Sequence, residues 1–229
     1  MPIGWANMDG PMDARPPVRT FRTRGRMSAG KLEALVALGP RYLLTEPSGP
    51  FDAAAAFGRA APLVLDIGFG VGEATVAHAL AHPACDVLAV EVHTPGIANL
   101  LRALEAERVA NVRVVRADAV ELLAWLAPGS LHGAHVFFPD PWPKHKHHAR
   151  RIVRPDVVAQ LARTLVPGGV LHVATDWADY AAQMRRVLAA EPLLAPAVDD
   201  RGDRAVTKYE QLGLAAGRTI VDLRTVRRP

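Results

Sequence analysis

Cysteine is almost missing from this chain: Cys85 stands alone among 229 residues, which excludes an internal disulfide and any metal framework built on thiolates. No stretch approaches the roughly 20 consecutive apolar residues that a membrane span requires. The segment from Met1 to Pro17 mixes proline, glycine and both charge signs and lacks the apolar centre of a signal peptide. Together these absences predict a soluble, unexported protein of a reducing cytoplasm. Internal repeats and low-complexity tracts are also lacking, apart from short alanine runs, so a solenoid has no support. Net charge is small as well, at +4, so the chain is no general polycation.

What is present is a globular composition. Half of the residues are apolar or aromatic and 22% are charged, enough to build a sizeable core and too apolar for wholesale disorder. The length suits one α/β domain. The basic residues are clustered: Arg15, Arg19, Arg22, Arg24, Arg26 and Lys31 crowd the start, Lys144, Lys146, Arg150, Arg151 and Arg154 form a second run, and Arg224, Arg227 and Arg228 a third. Clustering of this kind points to a polyanionic partner. Residues 1–27, with Pro2, Pro11, Pro16 and Pro17 and no apolar periodicity, read as a basic, flexible arm ahead of a single domain over 28–229.

Ser28 is placed to cap a first helix whose Leu32, Leu35, Val36 and Leu38 recur at helical spacing until Gly39 and Pro40 stop it. Residues 46–61 read as loop with an alanine-rich piece. From Pro62 onward, short β-branched runs alternate with helical segments, the pattern of βαβ units in a parallel sheet. Strands are expected at 63–67, 86–91, 112–116, 134–139 and 169–174, and helices near 72–81, 96–108, 119–126, 155–165 and after Asp176. Beyond Pro192 the chain is polar and turn-rich to Arg204. A segment from Thr207 to Gly217 then precedes an alternating strand at 219–226, expected to join the sheet edge antiparallel.

The first buried strand runs into Asp66-Ile67-Gly68-Phe69-Gly70-Val71-Gly72, where the glycines allow a tight turn and close approach of a ligand to the main chain. The spacing Gly-x-Gly-x-Gly differs from the Gly-x-Gly-x-x-Gly of dinucleotide enzymes, which shifts the expected ligand away from a pyrophosphate. Glu91 ends the second strand, where doubly wound folds hold a ribose through its hydroxyls. Asp118 follows the third strand, placed to accept from an adenine amino group or to cap a helix. Asp66, Gly68, Gly70, Gly72, Glu91 and Asp118 therefore outline an adenosine with a polar tail.

The fourth strand leads into Phe137-Phe138-Pro139-Asp140-Pro141-Trp142-Pro143-Lys144, where three prolines hold the loop stiff and present Asp140 and Trp142 at the substrate side of the sheet. The run His145-Lys146-His147-His148-Ala149-Arg150-Arg151 follows. Neighbouring histidines without cysteine or acidic ligands in register make a poor zinc set, so no metal is expected. Lys144, Lys146, Arg150 and Arg151 suit the phosphates flanking a target nucleotide. Asp176 follows the fifth strand, as a substrate contact or a helix cap. Thr207-Lys208-Tyr209-Glu210 carries no meaning by composition alone.

With these residues in hand, the chain resembles the bacterial tRNA (guanine-N7-)-methyltransferase family. The resemblance covers about residues 19–226 and rests on Arg22 to Met27, the Asp66 glycine loop, Glu91-Val92-His93, Asp118 to Glu121, Phe137 to Lys144, Arg150 to Val153, Thr175-Asp176-Trp177 and Thr207 to Glu210. It implies a Rossmann-like class I methyltransferase, a mostly parallel doubly wound α/β sheet with an antiparallel edge strand. It further implies S-adenosylmethionine as cofactor, S-adenosylhomocysteine as product, and guanine 46 of the tRNA variable loop as target. By that resemblance Asp66, Glu91, Asp118 and Asp140 bind the cofactor, Asp140 is also catalytic, and Lys144, Asp176 and Thr207 to Glu210 contact RNA. Neither a membrane nor an obligatory protein partner is implied. Two departures stand out: the shorter Asp66 where the family commonly has Glu, and Ala149 where it often has Lys.

Other functions share some of these features. Asp-Pro-Trp is similar to the Asp-Pro-Pro-aromatic loops of enzymes that methylate exocyclic amines, though the second proline is missing. An RNA-binding module with an inactive cofactor fold would lose the acids that are present here. A nicotinamide oxidoreductase conflicts with the glycine spacing and the lack of a separate substrate domain.

Overall fold

The computed structural model describes residues 27–45 and 50–229, so the arginine-rich arm expected at 1–27 lies, but for Met27, outside the described residues. In chain order the elements are α1 (Ala29–Tyr42), β1 (Leu43–Leu44), α2 (Ala53–Phe57), β2 (Leu63–Ile67), α3 (Glu73–Ala81), β3 (Asp86–Val90), α4 (Thr94–Ala106), β4 (Val112–Val115), α5 (Ala119–Trp125) and β5 (Leu131–Phe137). A 3₁₀ turn (His145–Arg150) follows, then α6 (Pro155–Thr164), β6 (Leu165–Thr175), α7 (Ala178–Ala190), β7 (Leu194–Pro196), α8 (Lys208–Ala215) and β8 (Val221–Arg227).

The strands form one mixed sheet in the order β1-β4-β3-β2-β5-β6-β8-β7. All neighbours from β1 to β6 are parallel, and β8 pairs antiparallel with both β6 and β7. After β2 the chain winds outward through β3 and β4, then returns to lay β5 on the other side of β2. The junction of β2 and β5 is thus the switch point, where diverging connections leave a crevice at the carboxyl ends of the strands. Register sets those ends level: Ile67 pairs with Val90 on one side and Val136 on the other.

Strands buried on both faces are mostly apolar, as parallel strands between helix layers must be, with Asp66, Asp86 and His172 as buried exceptions. Leu65, Leu88 and Leu171 point to the layer of α5, α6 and α7 with Leu122, Leu161, Tyr180 and Met184. Val87, Ala89, Val112 and Val114 point to the other layer with Tyr42, Ile97, Leu100 and Leu104. Among the described residues no helix is long and apolar enough to cross a membrane.

The helices and strands expected from Pro62 to Asp176 are all present, with ends moved by a few residues, and four other points differ. α1 runs through Gly39 and Pro40 to Tyr42. Tyr42 is fully buried and donates to Glu105 of α4, and Arg41 pairs with the same carboxylate at 2.7 Å, so tertiary contacts hold the last turn although Pro40 brings no N–H. The alanine-rich piece forms the short helix α2, capped by Asp52, which accepts from Ala55 N at 3.0 Å. The stretch read as turn after Pro192 contains β7. As a result β8 is not the edge strand: it is antiparallel as expected but lies inside, between β6 and β7.

Candidate active site

The carboxyl ends of β2, β3, β4 and β5 surround a cavity of about 300 Å³, lined among others by Asp66, Gly68, Gly70, Glu91, Asp118, Phe137, Asp140, Thr207 and Tyr209. That volume lies at the small end of ligand sites, sufficient for a nucleoside-sized group. Four acids separated by up to 74 positions in sequence therefore share one crevice because the strands that carry them end in register.

Asp66 lies on the floor at 3% exposure and accepts a hydrogen bond from Thr75 Oγ1 at 2.6 Å. Burial pushes its pKa up to about 6, against the Thr75 hydrogen bond and with a smaller push from the Glu91 carboxylate. Glu91 organises the opposite wall. Its Oε1 accepts from the backbone N–H groups of Val92 and His93 at 2.8 and 3.0 Å, and its Oε2 from Gly70 N at 3.1 Å. Asp118 is both a strand-end acid at the cavity and the N-cap of α5, accepting from Val120 N at 2.9 Å.

The three glycines have different tasks. Gly70 adopts φ +61°, and a Cβ there would stand 2.8 Å from the Tyr209 ring, so the residue serves both the turn and the space beneath the aromatic roof. Gly72 is not among the cavity residues: it is the N-cap of α3, packed against Leu100 of α4. Gly96, which carried no expectation, packs beneath the loop, since a Cβ on it would be 2.2 Å from the Gly70 carbonyl oxygen.

Phe138 and Trp142 both take positive φ, at +51° and +44°, a left-handed backbone that costs energy in bulky residues and is found where the surroundings fix it. Phe138 N is held by the Ala174 carbonyl at 2.8 Å. Trp142 is 2% exposed, with the Arg150 guanidinium 4.8 Å above its ring. It packs under the loop and is not a cavity residue, contrary to the expectation that it is presented to a substrate. Asp140, between these anchors, is exposed and lines the cavity.

The expected RNA-contacting residues divide. Lys144, Lys146 and Arg150 lie on the surface, as does Lys208, whose backbone N–H donates to Glu73 Oε2 at 2.6 Å. Arg151 does not: its side chain is 1% exposed and its donors go to Pro141 O, Gln183 and Asp179. Glu210 is fully buried, where it receives Arg204 at 2.7 Å and Arg201. Both are internal clamps, and a phosphate or base cannot reach them in this arrangement. Asp176 pairs with Arg218 Nε at 2.7 Å outside the cavity. Thr207 caps α8, accepting from Glu210 N at 3.3 Å, and brings Tyr209 over the glycine loop.

A family model described as "Putative methyltransferase" matches residues 60–223. The tRNA (guanine-N(7)-)-methyltransferase of Alkalilimnicola ehrlichii is 49% identical over 216 residues, covering 90% of this chain and 91% of that protein. The enzyme of the same name from Thiobacillus denitrificans is also 49% identical, covering 92% and 95%. This chain belongs to the tRNA (guanine-N(7)-)-methyltransferase family. The fold agrees with that membership. The solved 16S rRNA methyltransferase KamB superposes with TM-score 0.57 at 18% identity, covering 82% of this chain and 99% of that one. A 16S rRNA (adenine(1408)-N(1))-methyltransferase from Catenulisporales acidiphilia, solved with its cosubstrate SAM, gives TM-score 0.52 at 21% identity over 77% and 89%.

Within this family member, the roof over the glycine loop rests on a residue that carried no expectation. Arg204 is 5% exposed, donates to both carboxylate oxygens of Asp222 at 2.7 and 2.8 Å and to Glu210, and lies over the rings of Phe137 and Phe138 at 5.4 and 5.1 Å. His172 bonds the same Asp222 at 2.9 Å. Burial opposes ionisation of Asp222, but the hydrogen bonds from His172 and Arg204 and the Arg204 charge overcome it and hold its pKa at about 2. One guanidinium thus joins β8, α8 and the Phe137 loop, and with them the Tyr209 roof and the Phe137 wall of the cavity.

Proposed function

We propose that this chain transfers the methyl group of S-adenosylmethionine to N7 of guanine 46 in the variable loop of tRNA. The observation that carries the proposal is the meeting of Asp66, Glu91, Asp118 and Asp140 at one nucleoside-sized cavity beside a glycine turn. The donor set fits the cofactor. A buried carboxylate and the open Gly68–Gly70 turn suit the ammonium and carboxylate of a zwitterionic amino-acid tail, Glu91 suits a ribose diol, and Asp118 suits an adenine amino group. The relatives' names supply tRNA and guanine N7, and the exposed Lys144, Lys146 and Arg150 supply cationic contacts for a phosphate backbone.

The bound cofactor supplies an electrophilic methyl on a sulfonium. N7 of guanine has an in-plane lone pair and no proton at neutral pH, so the protein needs no base to create the nucleophile. Its residues supply alignment, which accounts for much of the acceleration in such reactions. Asp140, held on a loop fixed at Phe138 and Trp142, faces the purine as positive charge develops there, or grips the guanine N1 and N2 hydrogens. Phe137 and Tyr209 keep water from the site, which strengthens that electrostatic contribution.

The test is incubation of the protein with labelled cofactor and unmodified tRNA, followed by mapping of the labelled nucleotide. Label on N7 of guanine 46 is expected. Label on an exocyclic amine or at another position overturns the proposal, as does binding of tRNA without transfer.

A further inference from the structure

The face of the sheet that carries α3 is apolar over β2 to β4 apart from Asp66 but turns polar over β5, β6 and β8. There a row of imidazoles runs outward from the interior: His172, His135, His78 and His82, with Asp203 at the outer end. His78 lies in the last turn of α3 and His82, four positions on, is the residue that caps its C-terminus, with ring centroids 4.5 Å apart. Asp203 comes from the loop between β7 and α8, 121 positions away, and its Oδ2 is hydrogen-bonded to Nε2 of His82.

One ligand atom from each of these three side chains lies within 4.8 Å of the other two. Tetrahedral ligands at zinc-like bond lengths stand about 3.3 Å apart, a spacing reached by small rotations of His82 and Asp203, which are 39% and 60% exposed. Nε2 of His78 is buried and has no hydrogen-bond partner among the described residues, and a buried imidazole nitrogen of that kind calls for a ligand. The ring of His135 packs edge-on at 4.8 Å behind it.

We propose that His78, His82 and Asp203 form a binding site for one late first-row divalent cation, zinc in the cell, with water as the remaining ligand. Two imidazoles and one carboxylate suit such an ion and not magnesium or calcium, which take oxygen sets. This departs from the expectation of no metal, which considered only the His145–His148 run, because Asp203 joins the helix pair through the fold alone. The ion would be structural. It would tie α3, which starts at the glycine loop, to the segment that carries Arg204, Thr207 and Tyr209 over the cavity.

The decisive experiment is titration of the EDTA-stripped full-length protein with Co²⁺, read by the visible d–d absorption of tetrahedral cobalt, followed by displacement with Zn²⁺. About one equivalent is expected to bind, with at least tenfold weaker binding in His82→Gln and in Asp203→Asn, given that even outer-shell changes cost about ten- to a hundredfold. Both side chains are part-exposed, so these variants fold. Zinc should also raise the melting temperature of the parent chain and raise that of His82→Gln by less at the same zinc concentration. No saturable band at millimolar cobalt, unaltered binding in both variants, or loss of binding in a His145→Gln/His148→Gln chain overturns the proposal. None of these readouts involves methyl transfer, so the result is independent of the function proposed above.

Discussion

Arg151 and Pro141, ten positions apart, are joined by a hydrogen bond of 2.9 Å from the guanidinium Nε to the proline carbonyl oxygen. The rest of the guanidinium belongs to α7, bonding Gln183 at 2.7 Å and Asp179 at 2.6 Å and lying 4.7 Å over the Tyr180 ring. The loop that presents Asp140 is therefore bolted to a helix on the far side of β6. Removing the bolt leaves a half-buried carbonyl and amide short of a donor. Arg151→Met is expected to lower stability by about 2–3 kcal/mol, measured by urea unfolding, and to slow methylation in single turnovers. The salt dependence of tRNA affinity should not change, because the guanidinium reaches no phosphate.

The opposite behaviour is expected at the surface. Lys144→Ala and Arg150→Ala should leave stability within about 0.5 kcal/mol and weaken tRNA binding. Each phosphate contact removed should reduce the slope of log affinity against log salt by roughly 0.9. Filter binding at several salt concentrations measures this, and parallel lines for parent and variants would remove these residues from the docking surface.

Asp66 introduces a pH dependence. Its pKa in the folded protein is raised from 3.8 to about 6, so the stability associated with its protonated form is complete below about pH 3.8 and is lost as pH rises through about 6. The difference amounts to roughly 3 kcal/mol at most for the ligand-free protein. Asp66→Asn should flatten that part of the pH–stability profile. The ammonium of a bound amino-acid tail favours the ionised carboxylate, so S-adenosylhomocysteine should bind the parent more tightly at pH 7 than at pH 5, with proton release detectable by calorimetry in buffers of different ionisation enthalpy. Equal affinity at the two pH values would show that Asp66 does not meet the ligand's charge.

Gly70→Ala combines two faults, a left-handed φ and a Cβ 2.8 Å from the Tyr209 ring. Cofactor affinity should fall at least about tenfold. Adding Tyr209→Ala removes the contact but not the backbone strain of about 1 kcal/mol or more, so the double variant should recover only part of the loss. Full recovery would mean that the backbone conformation is unimportant.

Much of this site is legible from sequence because strand ends carry their own punctuation. Asp66, Glu91 and Asp118 each follow a β-branched run and precede a helix, and parallel register then brings them together without further information. The proline-rich loop marks Asp140 for the same reason. Partnerships over long separations are what the sequence hides. Arg151 and Glu210 look like surface charge until Pro141, α7 and Arg204 are placed around them. β7 has too few residues for periodicity to register, and Pro40 is a stop signal that Tyr42 and Glu105 override. Gly96 gives only the hint of a glycine two positions after a helix start, and its purpose depends on a carbonyl 26 positions earlier.

The insertion of β8 between β6 and β7 makes spatial order depart from synthetic order. The sheet partner of β7 is a strand some 25 positions downstream, which lies between it and β6 and holds Asp222 against Arg204. Through Arg204 and Glu210 the completed sheet is thereby tied to α8, which seats Tyr209 above Gly70. Loosening the β6–β8 seam would empty the cavity of its ligand well before the helices melt.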